Sequence, residues 1–296
     1  MDENDLISKS SDEELPFPSG NCTELGYVIE GDVLVKYSGK GGAVIIPPTV
    51  RVIGKKAFAG CTSMTAVIIP NGVTTILDCA FERCRGLTSV TIPDSVTRVA
   101  RNAIWGCNKI ETVTIGRALC FADFTTATDL VSLRAIFVSD ENNSLKSVDG
   151  VLYNKEGSRL LRYPPAKEGE DFAVPEGVRV ISNSAFIECQ NLRSVSIPDG
   201  VTRIEWMAFW LAVGIKDVSL HTSLTEIGDA AFWGCKNATI HYCGTKEQWR
   251  KIKKGSRWNW RIFPPIFFFT IGFLSGRIKV ETQESPKPTP ASHPRA

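Results

Sequence analysis

The chain has 296 residues, of which 43% are hydrophobic and 22% charged, with a formal net charge of +2. That composition is ordinary for a folded soluble protein. The near-neutral balance argues against a nucleic-acid partner, which requires a concentrated basic face. No run of about 18 apolar residues occurs, so a membrane-spanning helix is not expected. Nine cysteines, an odd number without a CxxC pair, suggest neither a closed disulfide framework nor a zinc ribbon.

Residues 1–25 carry no periodicity and read as a flexible leader. Their acidic start, Met1-Asp2-Glu3-Asn4-Asp5, lacks the basic residues and the apolar run of about 7–15 residues that make a secretory signal. On that criterion alone the chain is cytoplasmic. Residues 26–43 follow with apolar runs at Tyr27-Val28-Ile29 and Val33-Leu34-Val35 around Glu30-Gly31-Asp32. Turn residues between β-branched runs predict a hairpin, placed to cap what comes next.

From Val44 to Val138 a pattern recurs every 23 residues. Val44/Ile46, Val67/Ile69, Val90/Ile92, Val113/Ile115 and Ile136/Val138 are its strand positions. Behind them come Val50/Ile53, Val73/Ile76 and Val96/Val99, then Ala57-Phe58, Ala80-Phe81 and Ala103-Ile104, then Cys61, Cys84, Cys107 and Leu130. Such fixed self-similarity is the signature of a solenoid. Alternation in Val90-Thr91-Ile92 predicts a short strand with one buried face. Pro93 ends it, having no N–H for a continuing ladder. Phe81, Cys84 and Leu87 are spaced by three, which places them on one face of a helical or 3₁₀ turn.

Residues 139–171 break the register and contain a second hairpin candidate, Val151-Leu152-Tyr153 and Leu160-Leu161 around Asn154-Lys155-Glu156-Gly157. Within it, Gly150-Val151-Leu152 resembles Asp32-Val33-Leu34 of the first hairpin. The repeat resumes over 172–243, with Ala185-Phe186, Ala208-Phe209 and Ala231-Phe232 again 23 apart. About nine coils result; at 4.7–4.9 Å between strands, eight steps make a stack of roughly 38 Å. Residues 244–260 read as a closing cap around Trp249 and Ile252. Residues 261–296 are an atypical aromatic stretch and then a Pro-rich polar tail expected to be disordered.

The pattern Leu-x-x-Val-x-Ile-Pro-x-x-Val-x-x-Ile followed by Ala-Phe-x-x-Cys, carried by Leu87 to Cys107 and again by Leu192 to Ala212, resembles the BspA-type leucine-rich repeat. Ser147 to Tyr153 is similar to the hairpin found inside such arrays, and Gly244 to Ile252 to their usual carboxyl-terminal ending. The resemblance covers about residues 26–255. It implies an α/β-type solenoid, a right-handed stack with a parallel sheet on one face, short helical or 3₁₀ turns on the other, and hairpin insertions. It further implies a non-enzymatic protein used for adhesion and protein–protein contact, often at the cell surface, with host or extracellular-matrix proteins among the expected partners. The absence of an export signal and the aromatic stretch after Trp260 depart from that family.

Chemistry-bearing residues are sparse. Cys61, Cys84 and Cys107 lie on successive coils, within disulfide range of about 4.4–6.8 Å. The same slot accepts Leu130 and Ala212, so it asks for a small apolar filler, a role free cysteine plays well. Cys235, His241 and Cys243 are the one close Cys/His group and lack the tight local spacing of zinc ligands. No GxSxG, HExxH or phosphate-loop motif occurs. Neither catalytic residues, nor a metal site, nor a cofactor is expected.

Two surfaces remain. The residues between the inward pairs, Ile45, Ile68, Thr91, Thr114, Phe137, Ala173, Ser196 and Ser219, face outward along the stacked strands and form the candidate partner-binding face. Its amino-terminal half is the more apolar, and aligned exposed apolar residues mark contact sites. The second surface is the basic and aromatic stretch with Arg250, Lys251, Lys254, Trp258, Trp260, Phe267, Phe268 and Phe269. It reads as a solvated end cap sealed by tryptophans, as a membrane contact, or as a nucleic-acid patch using the same residue types. On the membrane reading the solenoid is displayed by its tail.

Overall fold

The computed structural model describes residues 25–120, 128–259 and 278–283. Its coils carry two parallel sheets, one more than the sequence reading anticipated. The front sheet uses the predicted strands in three sections. Gly42–Ile45 pairs with Met64–Ile68; Ser89–Ile92, Thr112–Ile115 and Ala135–Val138 form the second section. Asp171–Ala173, Ser194–Ser196, Asp217–Leu220, Thr239–Thr245 and Lys279–Gln283 form the third. The rear sheet uses two-residue strands such as Val52–Ile53, Thr75–Ile76 and Arg98–Val99. Register follows the repeat, Ile53 facing Ile76 and Ile76 facing Val99.

Between front and rear strands the chain turns at the strand-ending proline. The amides of Val50, Val73 and Val178 donate to the carbonyls of Pro47, Pro70 and Pro175. Proline thus both stops the ladder and opens the turn that sends the next valine inward.

On the third side the expected turns are present. Ala80, Cys84 and Leu87 donate to the carbonyls three residues back, at 3.2 Å each. They do not merge into a helix, because each coil places residues in the left-handed region at fixed intervals. Lys56, Cys79 and Asn102 form one such column and Gly60, Arg83 and Gly106 another. A left-handed non-glycine residue costs roughly 1–2 kcal/mol. Amides on either side of the bend reach the next coil, where Lys56 donates to Asp78 O at 3.3 Å, Phe58 to Ala80 O at 2.8 Å and Phe81 to Ala103 O at 2.7 Å. The backbone bonds that a helix would spend within one coil are spent between coils.

The interior is a pile of like residues. Phe186, Phe209 and Phe232 stack with centroids 4.7 Å apart and rings within 5° of parallel, and Phe58 stacks on Phe81 at 5.0 Å. The core divides into two clusters that meet at the strand Val151–Asn154, whose alternation sends Leu152 into the first and Val151 and Tyr153 into the second.

Both clusters begin in the same way. In the first, Tyr27–Glu30 pairs antiparallel with Val33–Tyr37, which pairs parallel with Val52–Ile53. In the second, Val151–Asn154 pairs antiparallel with Arg159–Arg162, which pairs parallel with Val180–Ile181. Tyr37 then stacks near Phe58 at 5.2 Å and Tyr163 near Phe186 at 5.4 Å. The residues equivalent to Asp32-Val33-Leu34 by ladder position are therefore Ser158-Arg159-Leu160, one strand later than the likeness of Gly150-Val151-Leu152 indicated. The reason is an additional strand, Leu145–Val148, which pairs with Val151–Asn154 and pushes the opening strand of the second cluster downstream.

The joint between the clusters is polar and closed. Asn142 is fully buried, donating to Gly116 O and Leu119 O and accepting from the amides of Ser144 and Leu145. Arg162, 1% exposed, donates to Ser184 O at 3.3 Å, and Glu188 accepts the Asp129 amide at 2.8 Å from the other side of the insertion. Burial pushes the Glu188 carboxyl up, opposed by that hydrogen bond and by the Arg162 charge.

Candidate functional site

The front face is positioned by strand register. Ile45 stands opposite Ile68, Thr91 opposite Thr114, and Thr114 opposite Phe137. In the third section Ala173 stands opposite Ser196, and Ser196 opposite Ser219. The residues on either side of each are buried, apart from the half-buried Val138 and Phe172, so the sheet presents these positions as an outward row within each section. Ile45 and Ile68 are half-buried, while Phe137 is 50% exposed. Thr91, Ala173 and Ser196 are exposed, and Thr114 and Ser219 intermediate.

Two residues that the sequence reading did not assign to this row complete it. Ser219 stands opposite His241, and His241 opposite Glu281. His241 lies 22 residues after Ser219 rather than 23, and Glu281 belongs to a segment outside the repeat, which hid both. His241 Nε2 lies 2.7 Å from Asp217 Oδ1, and its Nδ1 lies 3.1 Å from Glu281 Oε2. Lys279 beside Glu281 holds that carboxyl below the usual carboxylate range. In the neighbouring row Ser194 Oγ donates to Asp171 Oδ1 at 2.6 Å. The face is thus apolar at Ile45, Ile68 and Phe137 and ionic at Asp171, Asp217, His241 and Glu281.

A family model described as "BspA type Leucine rich repeat region" matches residues 36–147 and 167–256 in six copies, more than half of the chain. The chain belongs to that family. Among solved structures, this repeat protein is similar to a leucine-rich repeat protein from Eubacterium ventriosum, with 20% identity over 72% of this chain and 68% of the other, at a TM-score of 0.47. It is also similar to the pneumococcal vaccine antigen PcpA, with 16% identity over 77% of this chain and 82% of that one, at a TM-score of 0.50. The second likeness shows a shared fold. No relative is found among curated proteins.

In this BspA-type protein the cysteine column is core. Cys84, Cys107 and Cys235 are fully buried, and their thiols donate to the carbonyls of Phe58, Phe81 and Phe209 at 3.0–3.1 Å. Burial pushes the Cys189 thiol up to about 12, far from the range of a reactive thiolate. Among the described residues no group of His, Cys, Asp and Glu comes together as a metal site. There, too, no helix is long and apolar enough to cross a membrane.

The end of the stack engages part of the basic and aromatic stretch. The helix Lys246–Lys251 opens with a capping box between Thr245 and Gln248. Such a reciprocal pair satisfies two orphan donors of the first turn. Trp249 packs near Tyr242 at 5.2 Å, and Trp258 meets Phe232 edge-on at 6.4 Å. Lys254 lies 4.6 Å over the Trp249 ring and donates to Ile252 O at 2.9 Å. Trp258 and Lys254 are therefore occupied in closing the last coil, while Arg250 and Lys251 are exposed. Trp260, Phe267, Phe268 and Phe269 lie outside the described residues.

Proposed function

We propose that this chain is a scaffold that binds a protein partner through its front face and carries out no chemistry of its own. The observation behind this reading is the exposure of Phe137, held on a flat, hydrogen-bonded strand in the same outward row as Thr114 and Thr91. A large aromatic exposed on a rigid sheet has already lost its backbone entropy, so burying it against a partner gains apolar area at small ordering cost. Ile45 and Ile68 extend the same character at the amino-terminal end. The partner's complementary surface is correspondingly apolar, and membership of a repeat family generally used for protein contact supports this reading. The titratable groups on this face are paired with one another across strands, as at His241, which suits a fixed surface better than a proton-transfer site.

The test is affinity capture from the native source by the full chain, followed by measurement of the recovered partner with a Phe137→Glu and Ile68→Glu double variant. Loss of a central aromatic anchor costs about 2 kcal/mol or more, a fall in affinity of roughly thirtyfold. Circular dichroism unchanged from the parent, with partner binding retained at full affinity, refutes the assignment.

A further inference from the structure

In most of the described coils the rear strand is followed by an uncharged residue and then a polar one. The first is Gly54, Leu77, Ala100, Ser182 or Gly228, and the second is Lys55, Asp78, Arg101, Asn183 or Asp229. Among the coils whose rear strand is described, one departs in both slots, with Glu205 and Trp206; the sequence has a like pair at Asp123-Phe124. Trp206 is 44% exposed, in a slot that is polar in the other described coils, and its ring stacks on no other described aromatic.

Its surroundings are built. Arg159 Nη2 meets both Glu205 carboxylate oxygens at 2.9 and 2.8 Å, Arg203 Nε lies 3.5 Å from Oε1, and the Asn183 amide donates to Oε2 at 3.2 Å. Glu226 is held by Lys253 at 3.0 Å. Beside these groups lies an open cleft of about 330 Å³ lined by Asn183, Arg203, Ile204, Glu205, Trp206, Glu226 and Gly228. At Gly228 the adjacent coils approach closely, since a Cβ there would come within 2.6 Å of the Trp206 backbone nitrogen.

We infer that this cleft is a binding site for a neutral carbohydrate, with Trp206 as its stacking platform. The volume falls in the low part of the roughly 300–1,000 Å³ typical of small-ligand sites. Trp206 is the sole exposed large hydrophobic side chain among the lining residues, so an extended apolar partner would find nothing beyond one ring. Glu205 is paired with Arg159 and Arg203, and Glu226 with Lys253, so no lining charge stands without a counter-charge. What remains is an indole face with planar donors and acceptors fixed around it. A pyranose matches that set, with an apolar C–H face for the negative face of the indole and hydroxyls that both donate and accept. The site lies at the exit of the rear sheet and is independent of the front face.

The experiment uses the full chain with maltose, cellobiose and diacetylchitobiose as neutral probes, and digalacturonic acid and glucosamine dimer as charged ones. Binding is read by saturation-transfer NMR and calorimetry at millimolar sugar. Trp206→Asn is the deciding variant, because Asn183 already occupies the same slot one coil earlier and the fold tolerates it. At least one neutral disaccharide is expected to bind, with affinity falling about tenfold or more in Trp206→Asn, substantially retained in Trp206→Tyr and unchanged in Phe137→Glu. Failure of every neutral probe to bind the parent chain overturns the inference. So does binding that survives Trp206→Asn, or a preference for either charged sugar.

Discussion

The two halves of the stack have nearly the same inside and different outsides. Phe58 and Phe81 in the first block correspond to Phe186, Phe209 and Phe232 in the second, and Tyr37 and Tyr163 close the two columns at equivalent places. The outward row reads Ile, Ile, Thr, Thr, Phe in one half and Ala, Ser, Ser, His in the other. Inward positions are dictated by neighbours above and below, so one coil's choice constrains the next. Outward positions meet solvent and are free of that constraint. The difference between the halves is therefore where a binding specificity can be written without disturbing the fold.

The comparison can be broken in several places. The largest effect is expected from Phe209→Ala, which removes the middle of the stacked column and should cost about 3–5 kcal/mol. Hydrogen exchange should show protection lost first from residues 172–243, while the amides around Ile53 and Ile76 hold. Simultaneous loss in both blocks would mean that the two core clusters are one cooperative unit. Arg162→Ala at the joint should cost about 3 kcal/mol in chemical denaturation, because it leaves Glu188 buried without its compensating charge. Cys84→Ala should cost only about 1 kcal/mol, since the second block already carries Ala212 in that slot. Thiol labelling of the native protein at pH 8 should reach the exposed Cys120 and Cys243 and spare Cys84, Cys107, Cys189 and Cys235. The smallest effect concerns Glu188, whose carboxyl is raised in the folded state. The folded form then holds its proton to higher pH than the unfolded chain does, so stability should fall as pH rises through that interval. Glu188→Gln should flatten this dependence in pH-resolved melting.

The coil was readable because its cause is local and repeated. Val44, Val67 and Val90 lie inward for the same reason in each coil, and one turn explains the rest. The rear sheet was harder to see, since strands such as Thr75–Ile76 are two residues long and show no alternation to detect. Which of a helical or a 3₁₀ turn follows Ala57-Phe58 was left open by the sequence, because Lys56 and Cys79 have no composition that announces a left-handed backbone. At the candidate face, period alone located Ile45 through Ser219. It passed over His241 and Glu281 because the first arrives one residue early and the second comes from beyond the repeat. Trp206 was not singled out in the sequence, because its setting depends on Arg159, which sits 46 residues away from the Glu205 it holds.

The central claim is that the apolar half of the front face meets the partner and the ionic half does not. Photo-crosslinking decides it, with a benzophenone amino acid placed at Phe137 in one full-length protein and at Ser196 in another, each irradiated in extract from the native source. A discrete adduct from position 137, absent from position 196 and diminished by Ile68→Glu, is the predicted result. An adduct of equal yield at both positions, or one confined to 196, would contradict it.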